Sequence, residues 1–325
     1  MKKQSQQMGE LALIERIRRE SGGRRSRFVT LGIGDDCAIL RPPAGSEVIV
    51  TTDFTLEGRH FRRDWHAPES VGHRCLARGL SDLAAMGATP MAAFLSLALP
   101  VGVNQEWVDR FFVGLRRLAG RYQVPLAGGD TAAAPGEQIL ADIVLIGTAA
   151  AGRALRRSGA RAGDVLYVTG TLGGAAAELE RMQTGRVRRV RIGTAEAHPQ
   201  MFPEPRVAVG ERLLKRGLAG ACMDLSDGLS TDLAHLCRES GVGAEVDEAR
   251  LPVHRLATLR QALDGGEDYE LLFTAPASVK VPKRIAGVAV TAIGKATRAK
   301  AGVMLQRTDG RREPLQPGGW EHFKS

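Results

Sequence analysis

The 325-residue sequence predicts an α/β (α+β) protein built from two domains. Its length exceeds that of one ordinary domain, and 43 % apolar residues are enough for two cores. Helical and extended patterns alternate along the chain, the order expected of helices layered on sheets. The pattern breaks near 150–162, a stretch of Ala, Gly and Arg, which divides the chain into an N-terminal domain at 1–150 and a C-terminal domain at 151–325.

Apolar residues recur at helical spacing over 9–20. Residues 37–40 and 47–53 read as strands separated by the turn at Pro42-Pro43. A helix is expected over 68–86, with Pro68 in its first turn and Gly87 at its end. A strand at 91–98, a helix at 105–121 and strands near 123–127 and 138–149 complete the first domain. In the second, a strand runs from Asp164 to Thr169, and the turn Gly170-Thr-Leu-Gly-Gly174 opens a helix at Ala175–Met182. That turn reads either as a strand–turn–helix corner or as a phosphate loop at a helix N-terminus. No Gly-Lys-Ser/Thr follows it, so it is not a Walker A sequence. Residues 184–200 read as a polar loop, about 204–216 and 228–240 as helices, and 243–247, 269–274 and 287–293 as strands.

No apolar run reaches membrane length, and the basic N-terminus has no apolar stretch behind it. Cys37, Cys75, Cys222 and Cys237 lack the paired spacing of a zinc site; buried, reduced thiols in a cytoplasmic protein are expected. The formal net charge is +9, with basic segments at 153–161 and 181–191. Aromatics make up only 5 % and do not interleave with those segments, which argues against nucleic-acid binding. A polyanionic small substrate and solvated faces explain the charge more simply.

The chemistry is concentrated in aspartates that interrupt or end apolar runs: Asp36, Asp53, Asp82, Asp130, Asp224 and Asp227. A carboxylate among core residues must be paired, hydrogen-bonded or bound to a metal. Several such segments suggest a converging cluster of hard oxygen ligands, as Mg²⁺ requires. Asp82 lies near the C-terminal end of the 68–86 helix, where the macrodipole disfavours an anion. Thr51 and Thr52 flank Asp53 and offer further oxygens, and Asp35 competes with Asp36 for the ligand role. Gly128-Gly129-Asp130-Thr131 follows an apolar strand and lets backbone approach a phosphate, although a tight turn explains it equally. Ser226 or Asp227 could cap the helix that follows them, which leaves Asp224 unexplained. Gly265-Gly266-Glu267-Asp268-Tyr269-Glu270 reads as a site segment or a solvated turn. His60 is a structural residue or a phosphate contact, and Arg157 a loop arginine or a bidentate phosphate clamp. No Ser-His-Asp order or Cys–His pair marks a covalent nucleophile.

Together these segments resemble the thiamine-monophosphate kinase family, within the aminoimidazole-ribonucleotide synthetase-like superfamily of ATP-using proteins. The resemblance runs nearly end to end. It rests on Gly32-Ile-Gly-Asp-Asp-Cys-Ala, Thr51-Thr-Asp-Phe-Thr-Leu-Glu-Gly-Arg-His-Phe, Leu80-Ser-Asp-Leu-Ala-Ala-Met-Gly-Ala and Gly128-Gly-Asp-Thr. It continues through Gly152-Arg-Ala-Leu-Arg-Arg-Ser-Gly-Ala, Val168-Thr-Gly-Thr-Leu-Gly, Asp224-Leu-Ser-Asp-Gly-Leu, Gly265-Gly-Glu-Asp-Tyr-Glu-Leu and Gly319-Trp-Glu-His-Phe. The resemblance implies ATP-dependent phosphorylation of thiamine monophosphate to the diphosphate in thiamine diphosphate biosynthesis. It also implies an N-terminal sheet domain that forms a homodimer and a C-terminal α/β domain that completes the active site. By matching motifs, it implies metal roles for Asp36, Thr51, Thr52, Asp53, Asp82, Asp130, Asp224 and Asp227. Gly129, Asp130, Arg157 and Ser226 fall on the ATP side; His60, Glu267 and Trp320 fall on the thiamine monophosphate side. Tyr122 is a further candidate for the nucleotide pocket, or a core tyrosine. Phe202-Pro-Glu-Pro-Arg206 lacks the basic residue often found before this motif in the family, which argues against a second phosphate clamp there.

The implied chemistry agrees with the charges. ATP brings about four negative charges and the acceptor phosphate about two, so aspartates alone would repel them and several Mg²⁺ ions must intervene. Direct in-line transfer by positioning and charge neutralisation is then expected. Sister synthetases of the superfamily use a reactive Cys or selenocysteine near one terminus, whereas this chain ends Glu-His-Phe-Lys-Ser. A non-catalytic nucleotide sensor needs fewer metal ligands than this set provides.

Overall fold

The computed structural model describes residues 10–21 and 26–321. Two compact units emerge: one from residues up to Leu83, Thr89–Ala151 and Val187–Gly193, the other from Ala84–Ala88, Gly152–Arg186 and the chain from Thr194 onward.

The first unit opens with helix α1 (Glu10–Ser21) and a short antiparallel pair, β1 (Val29–Leu31) with β2 (Ile39–Leu40). Then follow β3 (Ser46–Leu56), α2 (Pro68–Ala85), β4 (Thr89–Leu99), α3 (Gln105–Arg121), β5 (Leu126–Ala133) and β6 (Leu140–Ala150). The four long strands form one sheet in the order β3-β6-β4-β5, antiparallel except for the parallel pair β4–β5. Strand alternation gives this sheet two unlike faces. One is buried through Leu95, Leu97, Ile143 and Leu145, and the helices supply Leu76, Leu80, Phe111 and Leu115 to the same core. Helix α2 meets α3 closely: a Cβ on Gly72 would fall 1.9 Å from the Phe111 carbonyl, and one on Gly114 1.8 Å from that of Glu69. Only glycine fits that crossing. The other face leaves Val48, Val50 and Phe54 of β3 exposed at 49, 61 and 60 %.

The second unit contains β7 (Val165–Thr169), α4 (Gly174–Gln183), α5 (Val207–Arg216), β8 (Cys222–Asp224), α6 (Leu229–Ser240), β9 (Val242–Asp247) and α7 (Leu259–Asp264). It ends with β10 (Leu271–Ala275), β11 (Arg284–Ile285), β12 (Val288–Arg298), β13 (Val303–Gln306) and β14 (Arg312–Pro314). Its sheet runs β14-β13-β9-β12-β7-β10-β8, with β11 on β12, and only β13–β9 is parallel. Leu166, Val168, Met223 and Leu272 of the strands pack with Leu229, Leu233 and Leu236 of α6.

The main helices and long strands lie where the sequence places them, with differences that have local causes. The strand expected at 123–127 starts later, at Leu126, because Gln123 takes a left-handed φ of 54° and Pro125 cannot donate to a ladder. The helix expected from 204 starts at Val207, since Pro205 removes a donor and restrains the residue before it. Strands β1, β8, β11, β13 and β14 and helix α7 are too short to carry a periodic signal of their own.

Candidate active site

The first unit holds a cavity of about 670 Å³. Asp35, Asp36 and Cys37 line one side of it, and Gly128, Gly129, Asp130 and Thr131 another, over an apolar floor that includes Phe94, Leu95 and Phe112. The sequence candidates Asp36, Gly129 and Asp130 are thus brought together. Gly129 has φ 150°, and a Cβ there would lie 1.9 Å from the Leu95 carbonyl, so backbone forms this wall where another residue would force β5 off β4. The Asp35 carboxylate accepts the Asp36 N–H at 2.9 Å, and Asp130 accepts the Thr131 N–H at 2.9 Å. Cys37 is exposed, contrary to the expectation of buried thiols; its position on this open wall explains the difference. Tyr122 does not line the cavity; it ends α3, with the Arg121 guanidinium 5.8 Å above its ring.

A second group of candidates joins β3 to α2. Thr51, Asp53 and Thr55 alternate to the covered face of β3 and Thr52 to the open one. Thr51 Oγ1 donates to Asp82 Oδ2. Arg78 Nη2 donates to Asp53 Oδ1 at 3.0 Å, an ion pair. Thr52 Oγ1 instead donates to Asp142 Oδ1 at 2.7 Å, so its hydroxyl does not join the Thr51 hydroxyl and the Asp53 carboxylate. Leu80, Leu83, Ala84 and Ala85 around Asp82 are buried, as expected. Burial also pushes the Cys75 thiol up to about 12, keeping it protonated and inert. His60 sits in the turn after β3, where its Nδ1 accepts the Leu56 N–H at 3.0 Å. That bond requires Nδ1 to be unprotonated.

In the second unit, β8 ends on the buried Asp224, and Ser226 and Asp227 lead into α6. Neither caps that helix. Its N-cap is Gly228, and the cap is made from behind: Asp232 Oδ2 accepts the N–H groups of Asp227 and Gly228, each at 3.1 Å. Burial, and then the charges of Asp224 and Asp227, push the Asp232 carboxyl up to about 8. Asp232 was missed in the sequence; its signal is a carboxylate one turn inside a helix preceded by Asp-Gly. The C-terminal segment docks on the same turn. Gly318 and Gly319 donate N–H groups to Ser230 Oγ and Thr231 Oγ1, each at 3.1 Å, and Trp320 donates its own to the Asp227 carbonyl at 3.0 Å. The Trp320 side chain remains 51 % exposed. Glu267 adjoins this turn, with its N–H on the Ser226 carbonyl at 2.8 Å and its carboxylate on Gln200 Nε2 at 3.2 Å. Glu267 and Tyr269 hold left-handed φ values of 67° and 51°, a strained run next to the candidates.

The carboxylates after Glu267 do not form a solvated turn. Asp268 accepts the N–H groups of Gly173 and Ala175, at 2.5 and 3.1 Å. The start of α4 is therefore occupied by a protein carboxylate, so Gly170–Gly174 is a strand–turn–helix corner rather than a phosphate loop. Burial, with the charge of Glu270 adding to it, pushes Asp268 up to about 7 against those N–H donors. Glu270, 4 % exposed, takes a bidentate ion pair from Arg206, one arm at 2.7 Å, and a hydrogen bond from Thr169 Oγ1. Arg206 is thus committed to the Glu270 carboxylate. Arg157 is exposed, its loop fixed where its carbonyl accepts Ser240 Oγ at 2.9 Å.

All these donors are hard oxygens, the chemistry Mg²⁺ prefers over softer metals. Among the described residues, however, no three His, Cys, Asp or Glu side chains stand close enough to hold a cation as a set. Within the first unit, Asp53 is held by Arg78 and Asp82 by Thr51.

Residues 34–153 match the family described as AIR synthase related protein, N-terminal domain, and residues 161–305 match its C-terminal domain. The thiamine-monophosphate kinase of Escherichia coli K12 is 40 % identical over 97 % of this chain and 98 % of its own length. The chain belongs to the thiamine-monophosphate kinase family. The crystal structure of the family member from Stenotrophomonas maltophilia K279a shares 36 % identity, with a TM-score of 0.78 over 94 % of this chain and 98 % of that one. A second family structure, AaThiL complexed with AMPPCP and TMP, shares 31 % identity, with a TM-score of 0.74 over 97 % of both chains. The two-domain α/β synthetase-like fold of the family is the fold found here.

Proposed function

We propose that this chain catalyses ATP-dependent phosphorylation of thiamine monophosphate to thiamine diphosphate. The observation that carries this reading is the near-full-length identity to thiamine-monophosphate kinases, one of them bound to AMPPCP and TMP. The first-unit cavity supports it, because it joins Asp36 to the Gly128-Gly129-Asp130 wall. A glycine wall lets phosphates approach backbone N–H groups closely.

In this reading Gly129, Asp130, Arg157 and Ser226 bind ATP, and His60, Glu267 and Trp320 bind thiamine monophosphate. Asp36, Asp53, Asp82, Asp130, Asp224 and Asp227, with Thr51 and Thr52, would hold Mg²⁺. When bound, Mg²⁺ supplies charge neutralisation on the transferring phosphates. The acceptor is a phosphate oxygen that is already anionic, so no side chain has to remove a proton, and transfer proceeds in line. The exposed Trp320 indole suits a cationic thiazolium ring. The His60 ring, fixed through Nδ1, keeps one orientation toward the substrate.

Domains at 1–150 and 151–325, each contributing part of the site, complete the proposal. The first acts as the homodimer domain through the open sheet face that carries Val50 and Phe54, and the protein works in the cytoplasm. No helix among the described residues is long and apolar enough to cross a membrane. The reaction is tested by following ADP release from Mg-ATP with either thiamine monophosphate or thiamine as acceptor. Release with the monophosphate alone is expected. Equal release with thiamine would overturn the assignment of a phosphate acceptor.

A further inference from the structure

Part of the chain's net charge of +9 is gathered at one place in the first unit. Residues 187–193, Val-Arg-Arg-Val-Arg-Ile-Gly, pack with that unit. Arg189 there has a left-handed φ of 50°, and its N–H donates to the Trp65 carbonyl at 2.6 Å. A non-glycine residue in that region costs backbone energy, so its surroundings over-determine the conformation. The segment is a strap fixed on the 59–66 turn. That turn adds Arg59, exposed beside His60, and Arg62, whose guanidinium lies 4.5 Å above the Trp65 ring. Asp64, the carboxylate of the turn, is taken up by Arg62 at 3.1 Å. Arg188, Arg189 and Arg191 are exposed and, among the described residues, make no ion pair.

Asp64 is the one carboxylate of the turn and feels both Arg62 and Arg188, so the five arginines keep a net positive charge that raises the local concentration of anions. Trp65 is covered by Arg62, so the rim offers no stacking platform for bases. Its chemistry suits small polyanions. We propose that Arg59, Arg62, Arg188, Arg189 and Arg191 form a collecting rim that draws the phosphate-bearing substrates to the first unit by long-range attraction. The proposal rests on the kinase reading above and adds a specificity element to it: anionic substrates gain in capture while the transfer step is untouched.

The test compares wild type with R188Q/R189Q/R191Q across a range of salt concentrations, measuring kcat and kcat/KM for thiamine monophosphate and ATP. A control, K280Q/R298Q/K300Q, removes the same charge from exposed positions of the second unit. The strap variant is expected to lose about tenfold in kcat/KM at low salt, with kcat unchanged and a flatter salt dependence. The control should match wild type, and R188K/R189K/R191K should restore the rate, because capture reads charge rather than fork geometry. Wild-type kcat/KM and salt slope in the strap variant would overturn the rim, as would an equal loss in the control or a loss confined to kcat. A wild-type protein without turnover would instead overturn the kinase reading. Pyrophosphate binding shared equally by wild type and the glutamine variant would then overturn the rim as well.

Discussion

Asp82 and Asp53 show how a carboxylate in an apolar run exposes itself in a sequence. Asp82 is polar among buried neighbours and Asp53 points to the covered face of its strand; the two are engaged by Thr51 and Arg78 respectively. As proposed metal ligands they should tolerate amide replacement structurally but not functionally. D53N and D82N are each expected to lower kcat by about a hundredfold or more with an unchanged unfolding midpoint; steady-state assays and thermal melts check both halves of that statement. Glu270 illustrates the opposite case. Its run reads locally as a turn, but its partner Arg206 lies 64 positions away, a distance no local pattern reports. Removing that partner leaves a buried anion unpaired, so R206M should cost about 3 kcal/mol in urea unfolding. Asp268 was equally illegible, since its donors lie 93 and 95 positions back along the chain.

Helix α4 depends on that borrowed cap. The folded Asp268 carboxyl is raised from 3.8 to about 7, so the proton binds more tightly to the folded state. Its stabilising contribution is then complete below about pH 4 and is lost as pH rises through 7. D268N should flatten this part of the stability profile; parallel wild-type and D268N curves between those limits would contradict the assignment. Strand β5 depends on Gly129 in a different way. A side chain at φ 150° and 1.9 Å from the Leu95 carbonyl cannot be accommodated, so G129V should fail to fold or lose AMPPCP binding, as calorimetric titration would show. Long elements such as α2, α3 and β6 were legible because a period of 3.6 or 2 repeats several times along each. Strands β8, β13 and β14 span three or four residues, too few to express any period, and they exist because the sheet supplies their partners.

That the fold has two domains was legible from length, whereas the membership of Ala84–Ala88 in the second unit and of Val187–Gly193 in the first was not; the family relationship fixes the class of fold. The order of the sheets was not legible. The parallel placement of β13 on β9 and the edge position of β3 follow from packing that a single sequence does not display. That edge strand presents Val50 and Phe54 at 61 and 60 % exposure, an apolar face that a lone protomer would leave in water. We expect wild type to sediment as a dimer and V50E/F54E as a folded monomer; a monomeric wild type would remove the proposed homodimer. The most direct measurement is ³¹P NMR of the purified protein mixed with Mg-ATP and thiamine monophosphate. The proposed function requires the two signals of a thiamine diphosphate to grow in step with those of ADP, whereas ADP accompanied only by inorganic phosphate would contradict it.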